Sequence, residues 1–162
     1  MITKPTVLVL GAGASKPFGF PAGRELLEII VKAILSPPFG SFEIRAGVGG
    51  RLLGCGFREQ DLKDFAIRLQ SSQRNSVDAF LEHQPEFVEM GKAAIVSALV
   101  PYEQVNQPLM IGDWYRYLFN EMNTSFEDFD KNKLSVITYN YDRSLEYFFL
   151  QLARILVWKK HA

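Results

Sequence analysis

"VLVLGAGASKPFGFPAG", residues 7–23, runs four apolar residues into a glycine-rich turn, and "SVITYNYDRSLE", residues 135–146, has the same form. Each is an apolar run, a polar elbow and then a helix-like segment. Thr6 to Leu10 is β-branched and leucine-rich and stops at glycine, which suits a strand buried on both faces. Leu134 to Tyr139 is the second strand. Strands followed by long helices, with no hairpin signals, imply an α/β layer architecture with parallel strands. In an open parallel sheet every strand-to-helix turn emerges at one edge, where ligands bind. If the two strands are neighbours, Gly11 to Ser15 faces Asn140. Two strands alone leave both edges open, which natural domains avoid. The chain therefore reads as truncated at its C-terminal end, the front part of a larger domain, or as a sheet that a partner chain finishes.

Between the elbows the pattern is helical. Gly23 to Leu35 carries Leu26, Leu27, Ile29, Ile30, Val31, Ile34 and Leu35, so it should lie deep, and Ser36-Pro37-Pro38 stops it. Phe39 to Phe57 is crowded with glycine and reads as a mobile loop, a lid or a long linker. Periodicity returns over Glu59 to Leu69. Ser76 is placed to cap "VDAFLEH", and Pro85 can start a long helix through Val100. Asp113 is placed to cap "WYRYLFNEM", and Arg143 to Trp158 is the closing helix, its aromatic stripe of Tyr147, Phe148, Phe149 and Trp158 suiting a core face.

Composition narrows the function. The 162 residues fit one domain with a real core, and 48% hydrophobic with 22% charged residues is an ordinary globular balance. Net charge is zero, and only Lys159-Lys160 are adjacent basic residues of note, which argues against nucleic acid. A lone cysteine, Cys55, excludes an internal disulfide and a four-thiolate zinc site and reads as a buried or incidental thiol. No export signal opens the chain, and Glu146, Gln151 and Arg154 interrupt its last apolar stretch, so no membrane span is expected and the cytoplasm is the expected compartment.

The chemistry sits in the elbows. Gly11 and Gly13 permit positive backbone torsions and lack a Cβ, so amides can approach a ligand closely. Amides near a helix start attract phosphate oxygens, and Ser15 can add a hydroxyl, although a strand ending in a plain glycine turn has the same letters. A dinucleotide fingerprint fails because Lys16 stands where its third glycine belongs, and no glycine-lysine-serine/threonine triplet comes after it to make a Walker loop. The Asn140 carboxamide can both donate and accept, toward a sugar or a water, or simply serve the turn. Asp142 suits a cap on the next helix.

In this order the two elbows resemble the SIR2-like superfamily, the NAD-binding fold of sirtuins and of bacterial antiphage NAD-hydrolysing proteins. "GAGAS" with "GFPAG" resembles the family's glycine-alanine-glycine loop and later glycine-x-proline, and "ITYNYDRSLE" its threonine-x-asparagine-x-aspartate elbow. "SVDAFLE" and "GKAAI" resemble intervening segments of the non-sirtuin branch. The resemblance runs from about Val7 to Glu146. It implies a Rossmann-like open parallel sheet flanked by helices, with NAD as substrate or ligand and no metal. Gly11, Ala12, Gly13 and Ser15 would then hold the NAD phosphates and adjoining ribose, and Pro21 would close over the nicotinamide side. Asn140 would be the catalytic asparagine, and Asp142 would support its elbow.

The chain departs from sirtuins in having Ala22-Gly23-Arg24 after Pro21 and no four-cysteine module, which disfavours deacetylation. The family's histidine lies beyond the asparagine elbow, whereas this chain has only His83, before it, and His161, next to the end. Three readings result: an NAD hydrolase or its N-terminal part in an antiphage setting, a non-catalytic NAD or ADP-ribose sensor, and an oligomerisation domain. Partners besides the nucleotide would be further copies or an attached effector or sensor domain.

Overall fold

The structure is a computed structural model that describes residues 1–36, 47–104, 113–122, 124, 125 and 127–161, with residues 104, 113 and 155–161 described by backbone alone. It is broadly α/β, and mostly helical among the described residues. Two compact units divide the chain: Met1–Phe20 with Val105–Ala162, and Pro21–Gln104.

The first unit holds the sheet. Strand β1, Thr6–Leu10, pairs in parallel with β2, Leu134–Thr138, in a register that sets Thr6 opposite Leu134 and Leu10 opposite Thr138. The strands are not buried on both faces. Leu8 and Leu10 of β1 and Leu134 and Val136 of β2 are half-buried, while Val7, Val9 and Ile137 are exposed. The apolar run that suggested a two-faced core strand is covered on one side only, because the period-two alternation turns Val7 and Val9 away from the packed side. The unit also contains helix α6, Asp113–Met122, and the closing helix α7, Ser144–His161. Tyr115 and Leu118 of α6 and Phe148 and Leu152 of α7 are buried with Phe18. The Tyr115 and Phe148 rings stack at 4.6 Å, and Phe18 lies 4.4 Å from Tyr115. Phe148 thus takes the core role that the aromatic stripe suggested, while Tyr147 is exposed; the side chains of Asp113 and Trp158 lie outside the described residues.

The second unit is helical. Helix α1 spans Gly23–Leu35, the range that its apolar positions mark out, and buries Leu26, Leu27, Ile30, Val31 and Ile34. Residues 37–46 lie outside the described residues. The glycine-rich segment after them is not a loop: Val48–Gly54 forms helix α2 and encloses Leu52 completely. Glycine content suggested otherwise, but packing of Val48 and Leu52 offsets the roughly 1 kcal/mol by which each helical glycine disfavours a helix. Cys55, at the end of α2, is exposed. Helix α3, Glu59–Ser71, packs on α1, and Leu62, Phe65, Ala66 and Leu69 face inward. Helix α4, Val77–Leu81, starts at Ser76, whose hydroxyl accepts from the Ala79 amide at 3.2 Å as a cap. A 3-10 turn, Pro85–Phe87, leads into the long helix α5, Val88–Gln104. Phe65, Phe80 and Phe87 form a ring cluster with centroids 5.6 to 5.9 Å apart. No helix among the described residues is long and apolar enough to cross a membrane.

Candidate functional site at the sheet edge

Parallel pairing carries both elbows to the C-terminal edge of the strands. β1 ends at Leu10, whose carbonyl accepts from the Tyr139 amide at 3.0 Å, so Gly11 and Asn140 leave the sheet side by side. After Gly11 the chain winds into a 3-10 turn, Ala12–Phe18, pinned from α6 by the Trp114 indole, which donates to the Ala14 carbonyl at 2.8 Å.

Gly11 and Gly13 do not use left-handed torsions. Gly11 is extended, with φ −115°, and the positive φ in this segment belongs to Gly19 at 82°, which ends the 3-10 turn. Nor does neighbouring chain crowd them: among the described residues, a Cβ built at either would meet nothing within 4 Å. Gly11, Ala12 and Gly13 are all exposed. Neither backbone geometry nor internal packing calls for glycine at 11 or 13.

Ser15 is 2% exposed and lies inside the site rather than on its surface. The Asn140 side-chain amide donates to its hydroxyl at 2.9 Å. Ser144, the first residue of α7, lies 3.5 Å from Ser15 Oγ and donates to Asp142 Oδ1. The same carboxylate oxygen accepts from the Ser144 backbone amide at 3.1 Å, so Asp142 caps α7. Tyr115 reaches in from α6, its hydroxyl 3.0 Å from Ser144 Oγ. Asn140 Oδ1 is shut off from solvent and has no hydrogen-bond partner among the described residues. An enclosed acceptor without a donor costs on the order of 1–3 kcal/mol, and native proteins seldom keep one without a use.

Of the residues that the sequence singled out, Gly11, Ala12, Gly13, Ser15, Asn140 and Asp142 come to one edge of one unit. Pro21 opens the other unit, just ahead of α1. His83 is an exposed residue of that second unit, its ring nitrogen 3.3 Å from the Ala79 carbonyl, and the His161 side chain lies outside the described residues. Sequence reasoning missed Ser144, Tyr115 and Trp114. The aspartate-x-serine spacing of a helix cap pointed to Ser144. Nothing local pointed to Tyr115 or Trp114, which come from a separate helix ahead of the elbow. Among the described residues no group of histidine, cysteine and carboxylate side chains could hold a metal ion.

Burial pushes the Tyr115 phenol up from 10 to about 12, and the nearby Asp142 and Glu146 carboxylates add to the rise. A raised folded-state value means that the folded chain holds this proton more tightly than the unfolded chain does. The associated stability is complete below about pH 10 and is lost as pH climbs toward about 12. Denaturation midpoints of the wild type should therefore fall more steeply across that alkaline window than those of Tyr115→Phe.

No protein-family model, no curated protein and no solved structure matches the chain.

Proposed function

We propose that the edge formed by Gly11 to Ser15 and Asn140 is an NAD site of SIR2-like type on a Rossmann-like sheet, and that in its complete form it hydrolyses NAD to ADP-ribose and nicotinamide. The observation that carries the reading is the Asn140 carboxamide, tied to Ser15 across the two elbows, its carbonyl oxygen enclosed and unpaired. The exposed glycines support it: with no internal reason to lack a Cβ, Gly11 and Gly13 suit close approach of a phosphate to the backbone. Ser15, being buried, acts by holding Asn140 rather than by touching a phosphate.

In the reaction, water adds to the ribose carbon as the bond to nicotinamide breaks. The bonding pair passes to the ring nitrogen and cancels its positive charge, and the water gives up a proton. Because the leaving group departs neutral, the protein has chiefly to position the nucleophile and support positive character on the ribose. Asn140 is the group to do so, through a water or a ribose hydroxyl; a donor reaching its oxygen must first displace whatever covers it. The antiphage setting rests on the same family resemblance.

Incubation with NAD followed by chromatography should yield ADP-ribose and nicotinamide in equal amounts. One observation favours a second reading, a sensor without turnover: no described side chain of the first unit is a histidine that could take the proton. Saturable binding with intact NAD would select the sensor, and no binding would reject both. Gly11→Ala and Gly13→Ala separate ligand contact from folding. Each should keep or raise the thermal midpoint, by up to about 1 kcal/mol of stability, through a less flexible unfolded chain. Each should also weaken NAD binding about tenfold or more, by holding the phosphate off the backbone.

A further inference from the structure

We infer that Asp142 decides which way the Asn140 carboxamide faces, acting through Ser144 and Ser15, so that Ser144 is a positioning residue of the site. The inference rests on the proposed nucleotide site for its purpose but not for its geometry.

The direction of each hydrogen bond is fixed by elimination. A carboxylate oxygen only accepts, so the single proton of Ser144 Oγ goes to Asp142 Oδ1. Ser144 Oγ is then left with lone pairs alone toward its other neighbours. Tyr115, 3.0 Å away, donates to it, and Ser15, 3.5 Å away at the outer limit of a hydrogen bond, finds there an acceptor for its own proton. With that proton committed, Ser15 Oγ offers Asn140 only an acceptor, and the Asn140 NH2 group turns inward at 2.9 Å. The carboxamide oxygen is thereby the end left over, which is where the unpaired Oδ1 lies. An isolated asparagine can present either end to a ligand with little to choose between them. Here the choice is made through a chain of neighbouring hydroxyls, and the site offers the ligand an acceptor only. The group that it takes must carry a proton to give: a hydroxyl, a water or a primary amide.

Ser144→Ala removes the acceptor for the Ser15 proton while keeping the backbone amide that Asp142 caps. The Ser15 hydroxyl can then turn and donate to Asn140, and the carboxamide rotates by half a turn to meet it. Ser144→Thr retains the hydroxyl and should restore the wild-type arrangement. Tyr115→Phe leaves the Asp142–Ser144–Ser15 order intact and should leave the Asn140 signals close to those of the wild type.

The test is nuclear magnetic resonance of the Asn140 side-chain amide in the full chain without ligand, its signals assigned by their loss in Asn140→Ala. Ser144→Ala should shift these signals and speed their exchange with solvent about tenfold or more, the equivalent of one hydrogen bond, with recovery in Ser144→Thr. NAD affinity, or the rate where NAD is cleaved, should fall and recover in the same order. Signals identical in wild type and Ser144→Ala would overturn the inference even in a protein that cleaves NAD. Signals that respond as expected in a protein indifferent to NAD would reject the nucleotide reading and leave the positioning role standing.

Discussion

Asn140→Ala should reduce NAD cleavage by a factor of about 100–1,000, the scale of losing one positioned polar group at a reacting centre, without unfolding the chain. Two contributions to stability oppose one another. The variant loses the amide donated to Ser15, worth about 1 kcal/mol. It also removes a carbonyl oxygen enclosed without a partner, whose burial costs about 1–3 kcal/mol. The expected result is a denaturation midpoint at or slightly above that of the wild type, beside lost turnover. That opposition of signs marks a group kept for function at the expense of stability. Initial rates by chromatography and a urea titration on the same preparations decide it. Undiminished turnover would remove Asn140 from the chemistry, and a stability loss of about 3 kcal/mol would make it a structural residue.

Phe65→Ala should have the largest effect on folding. Phe65 lies on α3, is fully enclosed, and touches the rings of Phe80 and Phe87. Truncating a buried phenylalanine removes its transfer energy and leaves a cavity, at a cost of about 3–5 kcal/mol. Whole domains are stable by only about 5–15 kcal/mol, so the second unit would lose a large share of its margin. The measurement is helical circular dichroism against denaturant. Ile67, two residues on and 53% exposed, supplies the control. Ile67→Ala should stay within about 0.5 kcal/mol of the wild type, since surface changes rarely exceed that. Equal losses at both positions would mean that α3 does not pack as described.

How much is legible in the sequence depends on how local the cause is. The α1 range, the Ser76 cap and both strands are legible because three or four neighbouring residues decide each. Apolar spacing, a hydroxyl before a helix and a β-branched run ending at a turn are short-range signals. Val48–Gly54 misleads for the opposite reason: its three glycines are a local signal against helix, and burial of Leu52 outweighs them. The exposure of Val7 and Val9 escapes a sequence reading because an apolar run does not say how many faces are covered. At the site, glycine, serine, asparagine and aspartate are all marked by their elbows. The depth of Ser15, 2% exposed and joined to Asn140, is not legible there, since depth is not written in residue type.

The amino-acid order by itself determined that two strands would each run into a polar elbow, and parallel pairing then required those elbows to share an edge. Only the tertiary structure decided what they do to one another there. The Ser15 and Ser144 hydroxyls meet across 129 positions of chain, and Tyr115 enters from a separate helix. The direction of each hydrogen bond depends on which atom already holds its neighbour's proton. That is a property of packed distances, and the spacing of letters does not contain it.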